Sequence, residues 1–273
     1  MKILVPTDFS KLSLIAINYA LDFGEIINAE FIIVHVVNTK TPNMARIESK
    51  KLGEAIREFA EKDMVQLIGK IKKDRKDHTK ITHKIIYGFS FENVIEEFAL
   101  KNDVDIIIMG TKGATGLKKI FFGSNATSII ENSSIPVLTI PEYATYNSLE
   151  NIVYASDLIN LEQELEKLIP IAVLYKAWIH VLHITSNIEE EDEKTKLMVS
   201  KLEKRFNYPK VKIHEVVNED IEAGINQYIA DIDADMLAMY THHLTVFELL
   251  FGKSITQDIA FQTRIPMLTF QKS

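Results

Sequence analysis

The chain contains no cysteine, and Trp178 is the only tryptophan among its 273 residues. Without thiols there can be no disulfides, thiolate metal sites or cysteine nucleophiles, and the absence fits a reducing compartment. No apolar run approaches the roughly 18 residues that crossing a bilayer requires. The opening residues, Met1 to Asp8, turn polar too early for a secretory signal. We therefore expect a cytoplasmic protein with no membrane partner.

Basic residues are also fewer than acidic ones. The chain carries 31 lysines and arginines against 38 aspartates and glutamates, a formal net charge of −7. Nucleic acid would meet a repulsive average field, and no basic stripe interleaved with aromatic residues overrides it. We therefore expect no nucleic-acid partner. With 47% hydrophobic residues, the composition is that of a globular protein. The chain is long enough for two domains of ordinary size.

Glycine is scarce as well, with 10 in the chain, but four of these crowd into a single segment between an apolar stretch and a short helical pattern. Gly110, Gly113 and Gly123, followed by Ser124, have the spacing G-x2-G-x9-G-[ST]. Glycines let a backbone approach a ligand closely, and exposed N–H groups at a helix start attract anions. An ordinary glycine-rich connection would also carry such glycines, but the spacing favours a loop that binds a polyanion.

Apolar strands and amphipathic helices alternate through residues 1–141. Strands are predicted at 3–5, 30–37, 82–87, 105–109 and 137–140, and helices after the N-cap Ser10, over 44–76, over 91–99 and over 124–132. This order predicts a doubly wound α/β domain, in which a five-stranded, mostly parallel sheet is flanked by helices.

The pattern then starts again. After a short polar linker, 142–150, the stretch Asn151 to Asp157 resembles Lys2 to Asp8, and a second apolar strand places His183 opposite His35. The second copy is shorter between its second and third strands. We therefore predict two tandem domains of one fold, 1–141 and 151–273.

Several motifs follow one another along this pattern in a specific order. They are Val5-Pro6-Thr7-Asp8, Val34-His35-Val36-Val37, Gly88, the glycine signature and Ile135-Pro136-Val137-Leu138. Together they resemble the universal stress protein family, whose fold is similar to that of the adenine-nucleotide alpha-hydrolases. The resemblance implies an ATP-binding protein that acts as a nucleotide-dependent regulator in the stress response.

The resemblance also implies where the nucleotide lies, namely over the carboxyl ends of the strands. It assigns to the nucleotide Pro6, Thr7 and Asp8 at the base and ribose edge, Val36 against the adenine, Met109 and Gly110 beneath the ribose, and Gly113, Gly123, Ser124 and Asn125 at the phosphates. Mg²⁺ would accompany the triphosphate, held by phosphate oxygens and water. A competing interpretation of Asp8 is an acid that stabilises a helix N-terminus through the helix dipole.

The second copy departs from the signature. Tyr240, His243 and Lys253 stand where the first copy has Gly110, Gly113 and Gly123, although Asp157 matches Asp8. Side chains would occupy space that the phosphates need, so we expect ATP in the first domain only. The adjacent His242 and His243 lack the spacing of metal ligands on a helix, and we expect no metal site there.

Three functions stay open on the sequence. No general base stands out, so we expect at most slow ATP hydrolysis by a regulatory protein. The second is a true ATPase or a phosphoryl or nucleotidyl transferase in which Asp8 or a lysine of 112–119 positions phosphates. The third is a nucleotide-free interaction protein that uses Tyr240, His242, His243 and Phe247. We also expect the two domains to pair through their last strands as an intramolecular pseudo-dimer, with a possible homodimer and an unidentified protein partner.

Overall fold

The computed structural model describes residues 1–38, 48–75, 80–111, 123–185, 193–241 and 265–271, with side chains for all of these except 48–54 and 193–196. The chain forms two compact units, the first built on residues up to Glu142 and the second on residues from Tyr143 onward. Within the described ranges, no helix combines the length and the apolar character needed to cross a bilayer.

The first unit alternates strands and helices as predicted. Its elements are β1 (Lys2–Pro6), α1 (Lys11–Glu25), β2 (Glu30–Asn38), α2 (Glu48–Asp74), β3 (Lys80–Gly88), α3 (Phe91–Lys101), β4 (Ile106–Gly110), α4 (Ser124–Asn132) and β5 (Val137–Ile140). The strands form a parallel sheet in the order β3-β2-β1-β4-β5. Because the order reverses beside β1, the sheet has a switch point between β1 and β4.

The core of the first unit is built on the central strands. Ile3 of β1 pairs with Phe31 of β2 on one side and with Ile106 of β4 on the other, and all three are buried. Parallel strands covered by helices on both faces need apolar side chains at successive positions. That requirement explains the continuous apolar runs from which these strands were predicted.

The second unit has the same architecture. Its described elements are β6 (Asn151–Ala155), α5 (Leu161–Tyr175), β7 (Trp178–Thr185), α6 (Glu193–Phe206), β8 (Val211–Val217), α7 (Ile221–Asp231), β9 (Met236–Tyr240) and β10 (Met267–Phe270). The strands are parallel and follow the order β10-β9-β6-β7-β8, with the switch point between β6 and β9. The prediction of two tandem α/β domains is confirmed.

In each sheet, one acidic residue bonds the backbone at the amino end of a central strand in the same way. The Asp105 carboxylate, just before β4, accepts the Lys2 N–H at 2.6 Å, and the Asp235 carboxylate, just before β9, accepts the Asn151 N–H at 2.8 Å. Each carboxylate ties the start of one central strand to the start of its neighbour. The acidic residue that precedes each apolar run in the sequence is therefore part of the sheet's hydrogen bonding.

The element bounds differ from the predicted ones mainly by one or two residues, and those of α4 and β5 agree with the prediction. β2 continues through Asn38, one residue beyond its predicted end. The first residues of the predicted long helix, 44–47, lie outside the described residues.

A buried glycine in α1 provides a test of the packing in the first unit. A Cβ at Gly24 would lie 2.8 Å from Cε1 of Phe31, closer still to its Cζ, and 2.9 Å from Cδ1 of Ile3. We expect Gly24→Ala to destabilise the first unit by about 1–2 kcal/mol, because overpacking outweighs the better helix propensity of alanine. Hydrogen–deuterium exchange of peptides from β1 and β2 measures the change.

Gly69, on the exposed side of α2, is the matched control. No atom lies within 4 Å of a Cβ built there, so Gly69→Ala should stabilise the helix by up to about 1 kcal/mol. Faster exchange in both variants would contradict the packing argument, since only Gly24 is crowded.

Candidate functional site

The carboxyl ends of β1 and β4 meet at the switch point of the first sheet. In open parallel sheets, ligands bind in the crevice outside the strand ends at such a point. β1 ends at Pro6, which is buried, and β4 ends with the buried Met109 and the half-buried Gly110. The pairing of Leu4 with Ile107 keeps these two strand ends side by side.

The turn from β1 into α1 is held by Thr7. Its N–H donates to the Val34 carbonyl at 2.8 Å, and its Oγ1 lies 2.9 Å from Ser13 Oγ and accepts the Phe9 N–H at 3.1 Å. Phe9 has a φ of 61°, in the left-handed region that non-glycine residues rarely enter. The surrounding hydrogen bonds therefore determine an unusual backbone conformation immediately after Asp8.

Asp8 lies exposed at the start of this turn. Its Oδ1 accepts the Ser10 N–H at 3.0 Å, just ahead of α1, and Ser10 caps the helix by accepting the Ser13 N–H at 3.2 Å. The helix-terminal role weighed for Asp8 is thus present in the structure. Because the carboxylate is exposed, it also remains within reach of a molecule from solution.

His35, near the end of β2, braces the turn from the side. Its Nδ1 lies 2.8 Å from the Thr7 carbonyl oxygen and must donate, since a carbonyl can only accept. The rings of His35 and Phe9 are 4.5 Å apart. His35 is thus a strand-end residue hydrogen-bonded to nearby backbone. Val36 follows it, half-buried, on the opposite face of the strand.

The other half of the candidate site is the start of α4. Gly123 caps this helix without a side-chain hydrogen bond, and its N–H donates to the Thr111 carbonyl at 2.7 Å. That bond places the helix start directly beside the end of β4. Ser124 and Asn125, in the first turn, are exposed, and the first N–H groups of any helix have no acceptor within it.

The structure therefore gathers most of the predicted site residues at one end of the sheet. Those brought there are Pro6, Thr7, Asp8, Val36, Met109, Gly110, Gly123, Ser124 and Asn125. Gly113 lies outside the described residues. The end of the sheet thus combines a carboxylate with a helix N-terminus, which can accept hydroxyl or amino hydrogens and attract an anion, respectively.

The second unit repeats the first turn closely. Ser156 Oγ accepts the Leu158 N–H at 3.0 Å, Asp157 Oδ1 accepts the Ile159 N–H at 2.7 Å, and Leu158 has a φ of 63°. His183 Nδ1 donates to the Ser156 carbonyl at 3.0 Å, as His35 does to the Thr7 carbonyl. A leucine replaces the phenylalanine of the first turn, so the aromatic ring contact is missing here.

Tyr240 of β9, in the place of Gly110, is only 4% exposed. Its hydroxyl donates to the Glu164 carbonyl at 3.1 Å, and its ring lies 5.2 Å from that of Phe270. We predicted from the sequence that its bulk would stand in the path of phosphates. These contacts instead place the ring in the core, against α5 and β10. His243 and Lys253 lie outside the described residues.

Two polar clusters of the second unit were not predicted. Glu164, only 3% exposed, accepts the hydroxyl hydrogen of the buried Tyr154. His180 lies with Nε2 3.2 Å from Asn151 Oδ1 and Nδ1 3.3 Å from the Tyr228 hydroxyl, stacked on His214 at 5.5 Å. Burial, with the nearby His214 and Lys212, lowers the pKa of His180 to about 4. A histidine and a glutamate in apolar patterns were the only signals in the sequence.

Both halves of the chain are similar to known proteins. Residues 1–141 and 150–271 each match the model of the Universal stress protein family. Universal stress protein MJ0531 of Methanocaldococcus jannaschii is 34% identical over 140 residues, which cover 51% of this chain and 81% of that protein. Universal stress protein MJ0577 of the same organism is 34% identical over 152 residues, covering 51% of this chain and 93% of that protein.

The fold is also found among solved structures. The crystal structure of a universal stress protein from Archaeoglobus fulgidus superposes with a TM-score of 0.70, covering 100% of this chain and 98% of that chain at 18% identity. A putative universal stress protein from Pseudomonas aeruginosa, at 13% identity, superposes with a TM-score of 0.56 and covers 99% of this chain. With a family match in each half, the chain belongs to the universal stress protein family.

Proposed function

We propose that this protein binds ATP, accompanied by Mg²⁺, at the end of the first sheet and acts as a nucleotide-dependent regulator in the stress response. The observation that carries the proposal is the bond from the Gly123 N–H to the Thr111 carbonyl. This bond holds the N-terminus of α4 beside the switch point of the first sheet. Gly123 is also one of the glycines whose spacing led to the family. We assign this function to a first domain, residues 1–141. The second domain, residues 151–273, carries the changed glycine signature.

The phosphates belong at the start of α4. The helix cap is a glycine with no side-chain bond, and the two residues after it are exposed, so backbone N–H groups and the Ser124 hydroxyl can donate to phosphate oxygens. Gly113 would offer a further N–H from the loop, as the family resemblance implies. The triphosphate would bring Mg²⁺, which such sites hold largely through phosphate oxygens and water.

The nucleoside belongs at the ends of β1 and β2. Asp8 is exposed on a turn that Thr7 holds rigidly, and a carboxylate accepts ribose hydroxyl hydrogens well. Val36, half-buried at the end of β2, offers an apolar surface for the base. Met109 and Gly110 form the floor between the two parts.

We expect regulation and not fast turnover. None of the assigned residues is an evident general base for an attacking water, so any hydrolysis would be slow. In the second domain, His243 and Lys253 replace two glycines of the signature, and we expect no ATP there. One nucleotide per chain would then set the conformation or the partner affinity of the protein.

The test compares equivalent substitutions in the two halves. Asp8→Asn keeps an oxygen for the Ser10 N–H but removes the charge, and Asp157→Asn does the same in the second turn. We expect Asp8→Asn to weaken ATP–Mg binding about tenfold or more, and Asp157→Asn to leave it unchanged. Gly123→Val should weaken it as well, because valine tolerates the cap's φ of −66° but crowds the phosphates.

The stoichiometry is measured first, on nucleotide released by denaturing the purified protein and then by calorimetric titration. One ATP per chain supports the proposal. Two per chain would show that the second domain also binds, against our expectation. No binding to the wild-type chain would overturn the nucleotide function and favour the nucleotide-free interaction protein.

A further inference from the structure

We infer that His35 and Phe9 form a positioning pair that sets the direction of Asp8 in the first unit and thereby determines how well the site holds a ribose. The inference builds on the proposed nucleotide function. Neither residue belongs to the set assigned to the nucleotide. Their role follows from the contacts around the turn between β1 and α1.

β2 restrains the peptide group between Thr7 and Asp8. The Thr7 N–H is bonded to Val34, and the Thr7 carbonyl is bonded to the His35 imidazole at 2.8 Å, so β2 holds this residue at both of its backbone polar groups. The carbonyl belongs to the peptide bond that begins Asp8. Rotation of that peptide would redirect the Asp8 side chain, and the imidazole prevents it.

Phe9 has a backbone conformation that its surroundings must support. Its φ of 61° is costly for a residue with a bulky side chain. The Phe9 ring lies 4.5 Å from the His35 ring, at an angle of 33°, and an aromatic contact of this kind favours the observed position of Phe9. One imidazole thus restrains the residues on both sides of Asp8, through its Nδ1 hydrogen bond to Thr7 and its ring contact with Phe9.

The turns of the two units share the histidine bond and differ in the ring contact. The second unit has the same histidine bond, from His183 to the Ser156 carbonyl, and the same positive φ at Leu158. A leucine has no aromatic ring to place against the imidazole as Phe9 does. The bond therefore supports the turn in both units, and the ring contact is added in the unit to which we assign ATP.

Two variants at His35 separate the hydrogen bond from the ring. His35→Asn retains an N–H near the position of Nδ1 and loses the ring, whereas His35→Phe retains a ring and loses the donor. We expect His35→Phe to weaken ATP–Mg binding about tenfold, His35→Asn about threefold, and Phe9→Leu about threefold. His183→Phe, which removes the same bond from the second unit, should leave ATP binding unchanged.

A second readout distinguishes positioning from general destabilisation. Asp8 discriminates ribose from deoxyribose only when it points at the sugar, so the ratio of the Kd values for 2′-deoxy-ATP and ATP should fall toward one in His35→Phe. Thermal unfolding, measured on the same samples, reports how far each variant is destabilised. An unchanged ratio and affinity in a destabilised His35→Phe would overturn the inference while leaving the nucleotide function intact. A wild-type chain that binds neither nucleotide would overturn both.

Discussion

Replacing Tyr154 by phenylalanine should destabilise the second unit by about 3 kcal/mol, although the change removes a single hydroxyl. Tyr154 is fully buried in β6 and donates to the carboxylate of Glu164, which is itself buried at the start of α5. Without that donor, a carboxylate is left in an apolar interior with less hydrogen bonding. Burial and the negative charge of Glu164 raise the pKa of the Tyr154 hydroxyl, so it stays a donor throughout the neutral range.

The measurement can be confined to the second unit. Trp178, on β7, is the only tryptophan in the chain, and β7 is paired with β6. Urea unfolding followed by tryptophan fluorescence therefore reports the unit that holds Tyr154. Tyr143→Phe is the control, because its side chain is 83% exposed and the same substitution there should change stability by less than about 0.5 kcal/mol.

A double variant tests the reason for the loss. Tyr154→Phe combined with Glu164→Leu replaces both polar partners by apolar groups, and such replacements are often neutral. We expect the double variant to recover most of the stability that Tyr154→Phe loses. Equal losses in Tyr154→Phe and Tyr143→Phe would contradict the argument, since they would show that the carboxylate does not depend on this donor.

The elements that local chemistry determines were predicted well from the sequence. The helix α4 begins after a glycine cap and ends just before Ser133, and a proline follows three residues after Ser133. The bounds of α4 agree with the prediction. Ser10 caps α1 as expected, and its side chain accepts the Ser13 N–H. Both features depend on residues close together in the chain, where propensity and capping decide the outcome.

The side chains that depend on register were harder to predict. From the sequence, Tyr240 marked the loss of a glycine at a strand end, but a strand residue points to one face or the other according to the pairing. Only the structure shows that its ring packs on Phe270 in the core. The positive φ of Phe9 was also beyond prediction, because neither phenylalanine nor its counterpart Leu158 favours that conformation.

Glu164 shows why a buried network escapes detection. A glutamate in the first turn of a helix is ordinarily an exposed partner of the helix dipole, and the one signal against that here is its helical spacing from the apolar Leu161 and Leu168. Its burial follows from the packing of α5 on the sheet and from Tyr154, which the first copy replaces by Val5. The polar interior of the second unit therefore became visible only through the tertiary structure.

Lowering the pH from 7 to 5 should destabilise the second unit through His180, by about 1–2 kcal/mol. Burial lowers the pKa of His180 to about 4, with smaller contributions from the His214 ring and the Lys212 ammonium, against an ordinary value of 6.5. The unfolded chain binds the His180 proton at a higher pH than the folded chain does. The contribution of neutral His180 to stability is therefore complete above pH 6.5. It is lost as the pH falls from 6.5 toward 4.

The full shift corresponds to about 3 kcal/mol, and partial contact of the ring with solvent reduces the part expressed at pH 5. Tyr228 and Asn151 also contact the ring, and neither carries a charge that could offset an imidazolium. Urea unfolding followed by Trp178 fluorescence at pH 7, 6 and 5 measures the loss. His180→Gln should flatten this dependence, whereas His83→Gln, at an exposed position of β3, should leave it unchanged. The same slope in wild type and His180→Gln would assign the acid sensitivity to other groups, because glutamine cannot take up the proton on which the argument depends.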